Sequence, residues 1–146
     1  MENKENNKEE KIAVAKAFDL PISTRHSIAL CRFIKNKSPD LVVEQLSKVI
    51  KKKMAVPIRG EIPHRKGMMS GRYPGKASKF LIKMIRNVVA NANVNGMDIN
   101  NLILNAIPNK GSTTYHSGRR RGKFKRTHIT IIARERGDVK ISAKQK

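Results

Sequence analysis

Apolar positions recur at readable intervals in six stretches of the chain, and the intervals differ from stretch to stretch. Ile12 to Phe18 (IAVAKAF) alternates in part and is closed by Asp19, Leu20 and Pro21, which predicts a strand at a sheet edge. From Ser23, a residue suited to cap a helix, the spacing of His26, Ala29, Leu30, Phe33 and Ile34 predicts a helix to about Asn36. Ser38 and Pro39 announce a second helix. Proline pre-sets its first turn, Val42, Leu46, Val49 and Ile50 share one face, and Lys51, Lys52 and Lys53 complement the negative end of its dipole. The strongest helix follows Pro74 and runs to about Asn95, where Asn95-Gly96 stops it; Ala77, Leu81, Met84, Ile85 and Val88 form its apolar stripe. Leu102 to Ile107 (LILNAI) and Thr127 to Arg134 (THITIIAR) read as strands by their branched side chains.

Two internal stretches have no such period. Residues 54–73 hold Pro57, Gly60, Pro63, Gly67 and Gly71 and predict a long loop, of the kind that carries function in a compact domain. Pro108 to Arg126 is polar, basic and glycine-bearing between two strands, which predicts a hairpin over about 102–134 that continues outward as an arm. With roughly 16 residues a side it could reach about 50 Å, against a domain diameter of roughly 30 to 40 Å, so part of it is expected to leave the globule. The fold class is therefore α+β: a small globular domain of three helices packed on a three-stranded antiparallel sheet, with a long protruding basic β-hairpin. The expected domain spans 12–136, between a flexible N-terminal tail 1–11 and a basic C-terminal tail 137–146.

Charge changes this picture from a small fold to a ligand problem. The 146 residues carry 32 Lys or Arg against 11 Asp or Glu, a formal net charge of +21. From Ile62 through Arg134 there are fifteen Lys or Arg and a single acid, Asp98. Such self-repulsion, largely unrelieved within the chain, points to a polyanionic partner, and nucleic acid is the usual one. Lys76, Lys79, Lys83 and Arg86 fall on a helix face away from the apolar stripe, where they suit phosphate contact as well as an ordinary solvated face. The arm tip, with Tyr115, His116, Gly118, Arg119, Arg120, Arg121 and Gly122, contains no acid to pair with, so it is expected to be ordered by RNA or DNA. A membrane surface would call for interfacial aromatics, and Trp is absent with aromatics at 4%. No stretch approaches the roughly eighteen apolar residues of a membrane span, and the opening residues do not resemble a signal peptide, so a soluble chain that is not secreted is expected.

Candidate chemistry adds nothing catalytic. Gly75-Lys76 continues with Ala77 where a phosphate loop needs its magnesium-binding hydroxyl. Neither an HExxH nor a GxSxG motif occurs, and the basic half lacks the clustered carboxylates that metal-dependent phosphoryl chemistry requires. One cysteine, Cys31, and four scattered histidines offer no zinc spacing, so no metal and no cofactor are expected, and Cys31 reads as a buried structural thiol. There is no GxxG clamp, and six aromatic residues are too dispersed for a base-stacking sheet. Backbone and shape recognition fits better than sequence-specific reading of a single strand.

The segment Lys125, Arg126, Thr127, His128, Ile129, Thr130, Ile131, Ile132 (KRTHITII), closing a basic Arg and Gly hairpin, resembles the signature of the universal large-subunit ribosomal protein twenty-two family, called protein seventeen in eukaryotic naming. Ile22 and Ser23, Val56 and Pro57, His64 to Gly67 (HRKG), Gly71 to Ala77 (GRYPGKA) and the helix with Asn91, Ala92 and Asn93 look like its archaeal and eukaryotic branch. The resemblance covers roughly residues 12 to 136. It implies a non-enzymatic structural constituent of the large subunit. The family's hairpin passes through ribosomal RNA to the peptide exit tunnel. Its implied partners are large-subunit ribosomal RNA, neighbouring large-subunit proteins and the nascent polypeptide, with no membrane and no homo-oligomer. Carried onto this chain, the implied RNA-contacting residues are His64, Arg65, Lys66, Arg72 and Lys76, then Arg119, Arg120, Arg121 and Lys123 at the arm's end, and Lys125, Arg126 and His128 on its returning strand. Lys79, Lys83 and Lys110 join them from the charge pattern. From Gly111 to His128 the arm is several residues shorter than in most members. An architectural DNA-binding protein with basic β-arms is the alternative, and it would be expected to carry an apolar wedge at the arm tip.

Overall fold

The computed structural model describes residues 11–58, 66–67, 70–112, 116–117 and 122–136. Strand β1 (Ile12–Leu20) leads through a tight corner to helix α1 (Thr24–Ile34), and helix α2 (Pro39–Ile50) follows after a short link. Two two-residue strands, β2 (Val56–Pro57) and β3 (Gly71–Arg72), bracket the long loop before helix α3 (Gly75–Val94). A short 3-10 turn leads into β4 (Leu102–Lys110). Beyond it come β5 (His116–Ser117), β6 (Gly122–Lys123) and the final strand β7 (Thr127–Glu135).

The main sheet is antiparallel in the order β1-β7-β4, so the last strand lies in the middle and the first at an edge, as its alternation predicts. Along β7, Thr127, Ile129, Ile131 and Ala133 are buried while the residues between them are only half-buried, so one face of the sheet is covered. Helix α3 lies against β1 and β7, α1 against β4, and α2 packs on α3. Alanines at 13, 15 and 17 on β1 offer little bulk, which lets α3 approach that strand closely. Leu30, Ile34, Leu46, Leu81, Ile85, Leu104 and Ile131 form the centre of the core. Cys31 is buried there, and burial pushes its thiol up to about 12, consistent with a structural thiol.

Both sheet edges are covered by specific groups rather than left open. Asn91 and Asn95 on α3 donate their side-chain N–H groups to the carbonyls of Val14 and Ile12 at 3.0 and 3.4 Å, along the outer edge of β1. On the other side, Asn36 N–H donates to the Leu104 carbonyl at 2.9 Å and Leu104 N–H donates to the Lys37 carbonyl at 3.0 Å. Pro108, which has the same outward backbone orientation as Leu104 in this ladder, removes one further donor from that edge.

Several boundaries differ from the sequence pattern. Ser23 and Ser38 stand at the N-cap positions, yet neither side chain caps; Ser27 instead returns its hydroxyl to the Ser23 carbonyl at 3.0 Å. The stretch 54–73 is a closed loop rather than a wholly unpaired one, because Val56 pairs with Arg72, Pro57 with Gly71, and Ile58 N–H donates to the Ser70 carbonyl at 3.0 Å. Ser70 also donates its hydroxyl to the Ile58 carbonyl. Strands of two residues are too short to show a period, which is why the pattern does not reveal them. The hairpin strands run longer than predicted: β4 continues through Pro108 to Lys110, because an edge strand tolerates proline. Nine residues of each hairpin strand therefore lie within the sheet itself. Beyond the sheet, Gly111 N–H donates to the Arg126 carbonyl at 3.0 Å, and one short pair joins β5 to β6. The described residues show this stem and not a long protruding hairpin. Residues 1–10 and 137–146 of the expected tails lie outside the described residues.

Candidate nucleic-acid interface

Helix α3 separates its two jobs by angle. Ala77, Ser78, Leu81, Met84, Ile85, Val88 and Ala92 are buried, while Lys76, Lys79, Lys83 and Arg86, spaced three, four and three apart, are exposed along one face. At about 1.5 Å per residue the stripe extends roughly 15 Å along the axis. No described acid forms an ion pair with any of the four. The first turn of α3 also holds no acid, so the partial positive charge of the helix start adds to the lysines rather than being complemented. Arg72, exposed on β3, and Lys66, exposed in the loop, precede this stripe, and Lys110 is exposed at the outer end of β4.

The described acids are already engaged elsewhere. Glu44 pairs with Lys48 at 2.7 Å, and that hydrogen bond and charge hold its carboxyl below the usual carboxylate range. Asp98 accepts from Asn100 N–H at 3.1 Å and from the Asn101 amide at 2.6 Å, fixing the 3-10 turn. Glu135 accepts from Asp98 N–H at 3.0 Å, and Asp40 sits in the first turn of α2, where it complements the dipole. The described acids thus serve local architecture, and none of them forms an ion pair with the α3 cations.

The base of the arm behaves differently. Thr127 is fully buried, donates to the Ile22 carbonyl at 3.0 Å and shares a hydrogen bond with Thr24 Oγ1 at 3.0 Å, tying the arm's returning strand to the corner after β1. Asp19, in the left-handed region at φ 51, donates its N–H to His128 Nδ1 at 3.0 Å, which leaves Nε2 as the protonated nitrogen of the neutral ring. The same ring meets Phe18 edge-on at 5.4 Å between centroids. Arg126 lies 3.9 Å from the Asp19 carboxylate across a partly exposed gap. Gly111 faces Arg126 so closely that a Cβ would stand 2.7 Å from the arginine Cβ and 2.9 Å from its carbonyl carbon, so only glycine fits. Thus Arg126 and His128 have structural tasks, and Lys125 beside them is exposed.

The remaining predicted residues divide by what is described. His64, Arg65, Tyr115, Gly118, Arg119, Arg120 and Arg121 lie outside the described residues. His116, Gly122 and Lys123 belong to β5 and β6, where His116 pairs with Lys123 in the backbone register. The pattern also gives no sign of a cleft of about 680 Å³ between β4 and the link from α1 to α2, because its lining comes from three separate stretches of chain. The Asn91-Ala92-Asn93 motif has a structural reading in part: Asn91 covers the β1 edge and Ala92 is buried in the core.

Comparison with known proteins points the same way. Residues 15–141 match the family model described as Ribosomal protein L22p/L17e. The chain is similar to the large ribosomal subunit protein uL22 of Nanoarchaeum equitans, 36% identical over 148 aligned positions covering 92% of this chain and 85% of the relative. It is also 34% identical to that of Ignicoccus hospitalis, covering 86% and 89% respectively. Against the Archaeoglobus fulgidus protein it is 36% identical over 102 positions, 66% of each chain.

Proposed function

The chain belongs to the Ribosomal protein L22p/L17e family, and from that premise we propose that it binds large-subunit ribosomal RNA through the α3 stripe, the loop between β2 and β3, and the arm carried by β4 and β7. It is a structural constituent of the large ribosomal subunit in the cytoplasm, not an enzyme, and associates there with ribosomal RNA and neighbouring subunit proteins. The observation that carries the RNA-binding surface is the row Lys76, Lys79, Lys83 and Arg86, exposed and without a described acid partner on a helix whose other face is locked into the core.

The mechanism is electrostatic and architectural. The globular domain presents a rigid cationic row that replaces counterions along a phosphate backbone, and the entropy of their release drives association. His64, Arg65, Lys66 and Arg72 are further RNA contacts in this reading. Arg119, Arg120, Arg121, Lys123 and Lys125 supply the cations with which the arm neutralises phosphates between RNA helices, and Gly118 and Gly122, without side chains, suit close approach to the RNA. Placing the tip at the exit-tunnel wall and in reach of the nascent polypeptide completes the reading. Domain limits of 12–136 with two tails belong to the same proposal.

The test is binding of the full chain to in-vitro-transcribed large-subunit ribosomal RNA across a salt series. The expected slope is steep, about 0.9 log units of affinity per log unit of salt for each duplex phosphate neutralised. A flat response removes the electrostatic account.

A further inference from the structure

Helix α2 ends in a turn that its own architecture does not explain. Lys51 closes the helix at φ −75, and Lys52 then enters the left-handed region at φ 57. Glycine commonly fills that position after a helix, because any side chain there crowds the neighbouring carbonyl. Asp19 and Asn36 are the other described non-glycine residues with positive φ, and their short polar side chains tolerate it. Lysine has no such local compensation. A strained residue of this kind calls for a reason outside the backbone.

Capping does not supply that reason. Lys51 N–H donates to the Ser47 carbonyl at 3.1 Å, Lys52 N–H to the Val49 carbonyl at 3.1 Å and Lys53 N–H to the Lys48 carbonyl at 2.9 Å, so backbone groups alone close the helix end. The helix dipole is complemented as well by charge at 51 or 53 as at 52. All three lysines are exposed, and among the described residues none holds their ammonium groups. Lys48, one turn earlier, differs, because Glu44 pairs with it at 2.7 Å.

The fold carries this turn toward the α3 stripe. The groove between α2 and α3 sets Pro39 and Val43 against Val89 and Asn93, so the start of α2 lies beside the second half of α3 and its end points toward the start of α3. The small β2–β3 ladder closes the same corner: Val56, three residues past Lys53, pairs with Arg72, four residues before Lys76.

We propose that Lys51, Lys52 and Lys53 form a second phosphate-binding cluster that extends the α3 stripe along one stretch of ribosomal RNA backbone. The proposal rests on the RNA-binding reading above. With the backbone N–H groups of the turn engaged, its ammonium groups are the donors left for a ligand. Ammonium groups are compact point charges without the planar fork that reads a base edge or a carboxylate bidentately, so the ligand they fit is a run of phosphates. An acidic protein segment also carries negative charge, but continuity with the α3 cations favours RNA.

The experiment measures binding of the full chain to in-vitro-transcribed large-subunit ribosomal RNA across a salt series, with hydroxyl-radical footprinting. It compares wild type with Lys52→Gly and with the joint replacement of Lys51, Lys52 and Lys53 by glutamine. Lys52→Gly is expected to melt no lower than wild type, since glycine relieves the left-handed turn. It should nevertheless bind about three- to tenfold more weakly, with a salt slope lower by about one unit. The triple variant is expected to bind roughly ten- to a hundredfold more weakly, with a slope lower by about two to three units and a footprint shortened at one end. It keeps the proposal testable if the glycine variant does not fold. Failure of wild type to bind the RNA at all overturns the reading of the whole protein. A triple variant with wild-type affinity, slope and footprint overturns the cluster alone. Weaker binding with an unchanged slope, or a lower melting temperature for Lys52→Gly with unchanged affinity, assigns the turn to structure. Crosslinks from position 52 to a protein in assembled subunits, with unchanged binding to naked RNA, assign it to an acidic partner; each of these results also overturns the proposal.

Discussion

The α3 stripe and the base of the arm look alike as sequence, both being short basic runs, and the fold gives them opposite duties. On α3, Lys76, Lys79, Lys83 and Arg86 project from a helix whose buried face already secures it, and no described acid pairs with them. At the arm's base, the corresponding polar groups are consumed internally: His128 accepts from Asp19, Thr127 binds the Ile22 carbonyl, and Arg126 approaches the Asp19 carboxylate. A basic run therefore indicates contact with an anion only where the tertiary structure leaves it uncommitted. The difference also separates two kinds of motif. KRTHITII marks the family, yet within it Thr127 and His128 fasten the corner between β1 and α1, and Lys125 beside them is exposed.

The largest effect is expected at the uncommitted site. Replacing Lys76, Lys79, Lys83 and Arg86 together with glutamine should lower RNA affinity by about 10²- to 10³-fold near physiological salt, and reduce the salt slope by about three to four units. Thermal unfolding should change little, because all four side chains are exposed. Unchanged binding would make the stripe an ordinary solvated face and erase the contrast. At the committed site, Gly111→Ala should destabilise the protein by about 1–3 kcal/mol through overpacking against the Arg126 backbone, read as a fall in urea midpoint. Thr127→Val should act through stability too, by about 1–3 kcal/mol, since it strands the buried Ile22 carbonyl. Its diagnostic is a salt slope equal to that of wild type. A lowered slope would place Thr127 in the interface rather than beneath it.

Much of the architecture is legible in the order of residues alone. Helical spacing locates α1, α2 and α3 because each has one wide apolar face. Alternation locates β1 and β7 and branched side chains locate β4, and the position of β1 at an edge follows from its short, closed pattern. Less is legible where a local signal is weak or has two meanings. Two-residue strands carry no period, so β2 and β3 look like loop. Serines at helix starts have capping chemistry, but the side chains of Ser23 and Ser38 do not use it. The hairpin's length suggests reach, although nine residues of each strand are spent pairing within the sheet.

By itself the sequence determined the α+β elements, the direction of charge and the family signature, because period, composition and motif order are properties of the chain as written. Only the tertiary structure decided which cations are available and which are not, since that depends on whether residues distant along the chain bring a carbonyl, a carboxylate or a ring within about 3 to 4 Å. Asp19 and His128 lie 109 positions apart and meet at 3.0 Å. No spacing rule along one strand could have revealed that meeting, because it exists only once β7 inserts beside β1.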